Sequence, residues 1–255
     1  MKILTFVDHV NFLKFNFFKI SHSLMYKKLK YLKYYSTFVY RNWINKKKSY
    51  AQHFEDLLVE ILLPKSVKSF IDIGANDGVL FSNTYKFAKQ GAKGICIEPS
   101  RYSFRKLRLN HLLHPKVKCI QKAVSNINDK LFLNESGYES TLSYVTNKRN
   151  NTSYVVKCIT FDKILEDYPQ FLEVDLLTVD VEGHEREVFD ALTNDKFKAK
   201  VIILESDKTQ TNELLKINSL KNYKPVYCNG VNTILIHKDE CINEIKELNI
   251  GFKKC

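Results

Sequence analysis

The sequence predicts an α/β fold with a doubly wound, largely parallel sheet, a C-terminal antiparallel hairpin and a helical N-terminal extension. Three observations lead to this prediction. From about residue 70 onward, short apolar strands alternate with helical stretches, as in sheets whose strands are joined by helices. Several of these strands are followed by an acidic residue. Near the C-terminus, Asn229-Gly230 separates two apolar runs and indicates a tight hairpin.

The positive charge is concentrated in the first fifty residues. Of 40 Lys or Arg and 28 Asp or Glu in the chain, eleven basic residues and one acidic residue fall in this segment, which therefore carries +10 of the net +12. The remainder, with 29 basic and 27 acidic residues, is close to neutral. A nearly neutral domain argues against a nucleic-acid partner.

We predict two domains, a basic and aromatic extension over residues 1–49 and a folded domain over residues 50–255. The extension lacks a signal-peptide cleavage site and any uncharged run near the roughly 18 residues of a membrane span. Two interpretations stay open. The extension is either a helical arm that packs its aromatic residues on the domain, or an interfacial helix on an anionic membrane.

The six cysteines are scattered without a C-x-x-C pair and mostly fall in apolar runs. This pattern is typical of core residues in a reducing compartment. We therefore expect a cytoplasmic protein, with peripheral membrane contact as the alternative.

The first predicted element is a helix over residues 49–64, in which Leu57, Leu58, Ile61 and Leu62 keep helical spacing and Pro64 ends the run. A buried strand, Phe70–Ile73, follows. A second helix is predicted over Leu80–Gln90, ended by Gly91.

The next strand, 93–97, ends at Glu98, and Ser100 is a plausible N-cap for a helix reaching His111. The polar stretch 126–154 predicts a loop or hairpin insertion. The remaining predicted strands are 117–120, 155–159, 174–179, 200–205 and the hairpin 225–228 with 231–237.

The stretch from Phe70 to Gly78 predicts a cofactor-binding turn, because Gly74 and Gly78 permit a tight reversal after a buried strand. The G-x-x-x-G spacing differs from the dinucleotide pattern G-x-G-x-x-G, and the Gly-Lys-Ser/Thr of a P-loop is missing. A cofactor without pyrophosphate fits better. Glu98, one strand later, can accept hydrogen bonds from both ribose hydroxyls. Together these features favour S-adenosylmethionine.

The chain resembles the FkbM-type methyltransferases, which use S-adenosylmethionine and have the class I (Rossmann-like) methyltransferase fold. The resemblance rests on segments in the family's order: 50–56 (YAQHFED), 70–78 (FIDIGANDG), 97–100 (IEPS), 123–124 (AV), 160–162 (TFD) and 175–185 (DLLTVDVEGHE). It implies a seven-stranded sheet that ends in the hairpin. It also implies methyl transfer to a hydroxyl oxygen of a sugar, a glycan or another small polar metabolite.

The resemblance also assigns cofactor contacts by position. The methionine part would lie against Asp72, Gly74, Ala75, Asn76 and Gly78. Glu98 would hold the ribose, with Pro99 and Ser100 at its flank and Ala123 at the adenine edge. Gln52 and Glu55 could close the cofactor site.

Three residues are candidates for catalysis. His184 is the candidate base, because imidazole titrates near neutral pH and Gly183 leaves it at a strand end. Asp180 and Glu182 are the alternatives. With Glu205 they could hold a divalent cation, but acids at strand ends also arise from sheet topology, and we expect no bound metal. Residues 140–142 either line the acceptor pocket or form a solvated loop.

Two other functions stay open. One is an RNA methyltransferase that uses the basic extension to hold single strands. The other is a catalytically inactive membrane-surface or scaffold protein, against which the intact Asp72, Gly74, Gly78 and Glu98 argue. The sequence does not indicate the oligomeric state.

Overall fold

The computed structural model describes residues 47–63, 65–136, 142–146, 148–149, 153–242 and 251–255, together with Leu29, Lys33 and Ser36. The chain divides into two compact units, Met1–Lys46 and Lys47–Cys255. The predictions for nearly all of the N-terminal extension, for Pro64 as a helix end and for residues 140–141 lie outside the described residues. Among the described residues, no helix has the length and apolar character needed to cross a bilayer.

The second unit is built on a large sheet with the strand order β12-β10-β11-β9-β8-β1-β2-β3. Strands β1, β2, β3, β8 and β9 are parallel, and β11 runs antiparallel to both β9 and β10. The predicted seven-stranded fold with its closing hairpin is therefore confirmed, and a short strand at the edge was not predicted. The strands are β1 Ser69–Ile73, β2 Lys93–Ile97, β3 Val117–Ile120, β8 Glu173–Val179, β9 Lys198–Glu205, β10 Tyr223–Cys228, β11 Asn232–His237 and β12 Lys253–Lys254.

A smaller sheet has the order β4-β7-β5-β6. Its strands are β4 Ala123–Val124, β5 Lys130–Ser136, β6 Leu142–Thr146 and β7 Tyr154–Ile159. Strands β5 and β6 pair in antiparallel fashion, so the polar insertion is a hairpin rather than a loop. Leu131, Leu133 and Val156 form a small core of their own on this sheet.

The helices are α1 Glu55–Leu62, α2 Tyr85–Lys89, α3 Arg101–Asn110, α4 Phe161–Asp167, α5 Glu185–Asp190 and α6 Lys208–Leu214. The hydroxyl oxygens of Ser100 and Thr160 cap α3 and α4 by accepting hydrogen bonds from the backbone amides three residues on.

Two helix predictions were wrong in their starting points. The helix predicted from Leu80 begins only at Tyr85, because Phe81 has a left-handed backbone (φ 58°) and Ser82 accepts a hydrogen bond from the Tyr85 amide. The first helix starts at Glu55 because Phe54 is also left-handed (φ 68°), so Gln52 lies before its first turn. Gly91 (φ 90°) ends α2 as predicted.

Apolar residues cover both faces of the large sheet. On β1, Ile71 and Ile73 belong to one core, which also contains Phe161 and Phe189. Phe70 faces the other core, and its ring packs where a Cβ on Gly94 would stand. Burial on both faces explains why β1 is apolar apart from Ser69 and Asp72.

Candidate active site

A cavity of about 420 Å³ opens at the carboxyl ends of the central parallel strands. This is where open α/β sheets bind ligands, and the volume is in the range of small-molecule sites. Its wall includes ten of the residues predicted from the sequence: Gln52, Asp72, Gly74, Ala75, Asn76, Glu98, Pro99, Ala123, Asp180 and Glu182. The smaller sheet contributes Leu133 and Val145 to the same wall.

The glycine turn joins the ends of β1 and β8. The amides of Gly74 and Ala75 donate hydrogen bonds to the Ile97 carbonyl, both at 3.0 Å, and the Asp180 amide donates to the Ile73 carbonyl. Gly74 has φ 88°, and a Cβ there would stand 1.7 Å from the carbonyl oxygen of Asp180. Gly74 is therefore required by contact between two backbones as well as by its conformation.

Asp72 is a buried carboxyl group at the floor of the cavity. The Thr84 hydroxyl donates a hydrogen bond of 2.6 Å to its Oδ2. Burial raises the pKa of Asp72 to about 7, against the smaller opposing effect of this hydrogen bond. At neutral pH the group is thus poised between its neutral and charged forms.

Glu98 is held at the end of β2 by two backbone amides. Asn76 N donates to Oε2 at 2.9 Å, and Ser100 N donates to Oε1 at 2.7 Å. A carboxylate oxygen can accept more than one hydrogen bond, so this group has the chemistry to bind a ligand hydroxyl. These contacts also tie the glycine turn to the start of α3.

Four predicted site residues lie outside the cavity wall. Gly78 (φ 74°) packs under the turn, where a Cβ would stand 2.5 Å from Leu107 Cδ1. Ser100 is the buried N-cap of α3. Glu55 is fully buried, and His184 points elsewhere, as described below. Ligand contacts by these four residues, like those by the ten residues in the wall, stay predictions.

Glu55 supports the wall without forming part of it. Its Oε1 accepts a hydrogen bond of 2.6 Å from Asn232 Nδ2, and its Oε2 accepts one from His53 N. Asn232 lines the cavity at the start of β11. Gln52, shortly before α1, also lies in the wall. The residue before it, Ala51, forms an isolated β-bridge with Phe81. The segment before α1 is therefore fastened to two sides of the cavity.

Three carboxyl groups meet on the side of the cavity formed by β8 and β9. Asp180, Glu182 and Glu205 each have an oxygen within 4.8 Å of the others. The side chain of Asp180 faces the cavity, with protein atoms packed around its other sides. This burial, followed by the hydrogen bond and the negative charge of Glu205, raises the pKa of Asp180 well above its usual range. Burial, followed by the charges of Glu205 and Glu185, raises the pKa of Glu182 to about 7.

Oxygen clusters of this kind could hold Mg²⁺ or Ca²⁺. Three neighbouring carboxylates repel one another, and either a cation or a shared proton relieves this repulsion. The raised pKa values of Asp180 and Glu182 indicate a shared proton. The prediction that no metal is bound stays a prediction.

The turn that carries Glu182 is left-handed at two successive positions, Glu182 (φ 54°) and Gly183 (φ 91°). Glu185 Oε1 accepts a hydrogen bond from Gly183 N at 3.1 Å and closes the turn. A left-handed non-glycine residue is strained, so the surrounding contacts must hold Glu182 in place.

His184 contacts Ser125 rather than the cavity. Its Nε2 lies 3.0 Å from Ser125 Oγ, and its Nδ1 lies 3.5 Å from Glu187 Oε2. Ser125 is buried, and burial lowers the pKa of His184 against the opposing charge of Glu187. The contact joins the end of β4 to the turn after β8.

Several wall residues were not predicted, among them Phe81, Lys122, Thr178, Val231 and Asn232. The Asn229-Gly230 hairpin could have indicated the last two, because the start of an antiparallel β11 must lie beside the carboxyl end of β9. Phe81 carries no such signal, since its place depends on an irregular segment.

A family model described as "Methyltransferase FkbM domain" matches residues 72–225. No curated protein matches the chain.

Among solved structures, the chain is similar to a precorrin-6y methyltransferase from Geobacter metallireducens, with 14% identity, 76% of this chain and 94% of that chain covered, and a TM-score of 0.43. It is also similar to a putative caffeoyl-CoA O-methyltransferase from Staphylococcus aureus, with 12% identity, 81% of this chain and 91% of that chain covered, and a TM-score of 0.43. For the fibrillarin pre-rRNA processing protein of Methanococcus jannaschii, the identity is 15%, the match covers 75% of this chain and 78% of that chain, and the TM-score is 0.43. Similarities at this level carry no argument about substrate.

Proposed function

The chain belongs to the FkbM family of S-adenosylmethionine-dependent methyltransferases, and on this premise we propose that it methylates a hydroxyl oxygen of a sugar, a glycan or another small polar metabolite. The acceptor would lie against Asp180, Glu182 and Glu205. This carboxyl cluster, beside the glycine turn, is the observation that carries the proposal.

The residues present fit the cofactor. The wall combines the Gly74–Asn76 turn with the Glu98 carboxylate, which is hydrogen-bonded to that turn and could accept hydrogen bonds from ribose hydroxyls. Apolar Leu133 and Val145 line the same wall as Ala123, where a flat base can lie. S-adenosylmethionine, when bound, supplies a methyl group that is already strongly electrophilic. The protein has to orient the acceptor oxygen and remove its proton.

Glu182 is the group we assign to proton removal. It lines the cavity, and its pKa of about 7 leaves a substantial fraction of it ionised at neutral pH. The acceptor hydroxyl would donate a hydrogen bond to this carboxylate and pass its proton to it as the oxygen is methylated. Glu182 is half-buried, so the proton can then reach solvent.

Asp180 would orient the acceptor. Burial and the neighbouring Glu205 favour its protonated form, which can donate a hydrogen bond to a second acceptor oxygen. The exposed Phe81, with 52% of its surface accessible, lies in the wall and offers an apolar face to a sugar ring.

The same cluster favours a neutral acceptor over RNA. Carboxyl groups that line the acceptor side repel the phosphates of a nucleic acid, and they accept hydrogen bonds from sugar hydroxyls. Among the described residues of the wall, Lys122 is the one basic side chain that could pair with a phosphate.

The test is methyl transfer from labelled S-adenosylmethionine to matched acceptors, using the full chain. Neutral oligosaccharides, the same sugars carrying phosphate, and RNA would be compared, with products identified by mass spectrometry. We expect methyl ethers on the neutral sugars and loss of the product with Glu182→Gln. Methylation of RNA alone, or cofactor binding without any transfer, would overturn the proposal.

A further inference from the structure

Helix α3 presents a basic stripe to solvent that ends in two exposed leucines. Arg101, Arg105 and Arg108 are exposed and follow helical spacing, and Leu112 continues the same stripe after the helix ends. We propose that this stripe, together with Leu113, binds the surface of an anionic lipid bilayer. The inference does not depend on the proposed acceptor, and it concerns a different surface from the N-terminal extension.

The chain segment that contains the stripe carries charge of one sign. Residues 99–128 contain seven Lys or Arg and no Asp or Glu. Within the described part of the chain, Arg105 and Arg108 form no ion pair, and Arg101 lies over the ring of Tyr154, with its guanidinium carbon 4.9 Å from the centroid. The near-neutral domain therefore carries a local positive surface, which an anionic surface complements.

The two leucines are unusually open for a protein in water. Leu112 is 64% exposed and Leu113 is 48% exposed. The opposite side of α3 is committed to the core, because Ser103, Leu107 and Asn110 are buried. Asn110 is also held there by a hydrogen bond of 2.6 Å from its Nδ2 to the Asp77 carbonyl. The helix cannot rotate to bury Leu112 without losing these contacts.

Adjacent exposed leucines beside arginines match a bilayer better than a nucleic acid. Basic side chains can contact lipid phosphates while leucines enter the acyl boundary, whereas leucine side chains gain little from a phosphate backbone. Helix α3 begins at Arg101, shortly after Glu98 and Pro99 in the cavity wall, and is ten residues long. The leucines therefore lie about 15 Å of helix from the cavity. Lipid contact would thus place the cavity near the membrane surface.

The test measures full-chain binding to vesicles of phosphatidylcholine alone and of phosphatidylcholine with phosphatidylserine. The variant Arg101→Gln/Arg105→Gln/Arg108→Gln should bind the anionic vesicles about a hundredfold more weakly, at about fivefold per charge. The variant Leu112→Ser/Leu113→Ser should bind about tenfold more weakly, because it removes apolar surface that would enter the bilayer.

The control variant Lys208→Gln/Lys221→Gln/Lys224→Gln removes the same charge from three exposed positions. These positions lie on α6, just before β10 and within β10. It keeps the N-terminal extension and should bind within about threefold of the unchanged protein. Thermal unfolding would verify that every variant is folded. Equal losses in the arginine and control variants, unchanged binding of the leucine variant, or arginine-dependent binding to RNA but not to vesicles would overturn the proposal.

Discussion

The carbonyl oxygen of Asp180 occupies the space that a Cβ on Gly74 would need, with 1.7 Å between the two positions. The carboxyl ends of β1 and β8 are thereby in direct backbone contact. The cofactor turn and the turn that carries Glu182 are consequently placed as one unit.

Gly74→Ala should lower the free energy of unfolding by about 3 kcal/mol or more, because it adds a backbone clash to a left-handed conformation. Gly91→Ala is the matched control, since Gly91 has φ 90° and nothing within 4 Å of the added Cβ. That variant should lose only about 1–2 kcal/mol. Denaturant unfolding of both proteins measures the difference, and equal losses would contradict the proposed clash.

Glu182→Gln should reduce kcat by about 10²–10⁴-fold while leaving cofactor affinity nearly unchanged, because it removes the proton acceptor. In the unchanged enzyme, kcat/KM should rise with pH through an apparent pKa of about 7, as the carboxyl cluster loses its proton. A profile that is flat between pH 5 and 9 would exclude this role.

Substitutions of His184 and Ser125 would show whether His184 acts as the catalytic base or only positions the turn. If the contact of 3.0 Å only positions the turn, Ser125→Ala and His184→Asn should each lower kcat by about tenfold or less, and the double variant should be no worse. Were His184 the base, its substitution alone would cost about 10²-fold or more and would remove the pH dependence. We expect the first outcome, measured by steady-state kinetics.

Asp72 should make the apoprotein less stable as pH rises. The folded carboxyl keeps its proton up to about pH 7, whereas its usual value is 3.8, so between these values the folded chain binds more protons than the unfolded chain. The free energy of unfolding therefore falls as pH rises through this window, on the order of a few kcal/mol.

Asp72→Asn should remove this dependence and be more stable than the unchanged protein at pH 8. The exposed Asp195→Asn serves as the control, and it should follow the unchanged protein. Parallel stability curves for Asp72→Asn and the unchanged protein would refute the assignment.

Asn232→Ala should lower the free energy of unfolding by about 1–3 kcal/mol, because buried Glu55 loses the hydrogen bond of 2.6 Å from the amide. Cofactor affinity should fall as well, since Asn232 also lines the cavity. Asn222→Ala, at an exposed position, is the control. Chemical denaturation and calorimetric titration with S-adenosylmethionine measure the two effects.

Local patterns in the sequence determined the strands, the glycine turn and the closing hairpin. The apolar run 70–73 before Gly74, the acid at Glu98 and the Asn229-Gly230 turn each depend on a few neighbouring residues, and the strand order bears out the strand and the hairpin. A strand buried on both faces needs consecutive apolar residues, and a tight turn needs glycine. Both requirements determine residue types at neighbouring positions, so the sequence is enough to predict them.

The tertiary structure alone decided which side chains meet. Glu55 and His184 stay predicted ligand contacts, and the hydrogen bond of Glu55 with Asn232 and the contact of His184 with Ser125 are visible only in the fold. It also brought Phe81 into the wall, whereas the meeting of Glu205 with Asp180 and Glu182 agrees with the grouping proposed from the sequence. Side-chain direction at a strand end depends on left-handed turns and on partners distant in sequence, and neither leaves a periodic pattern along the chain.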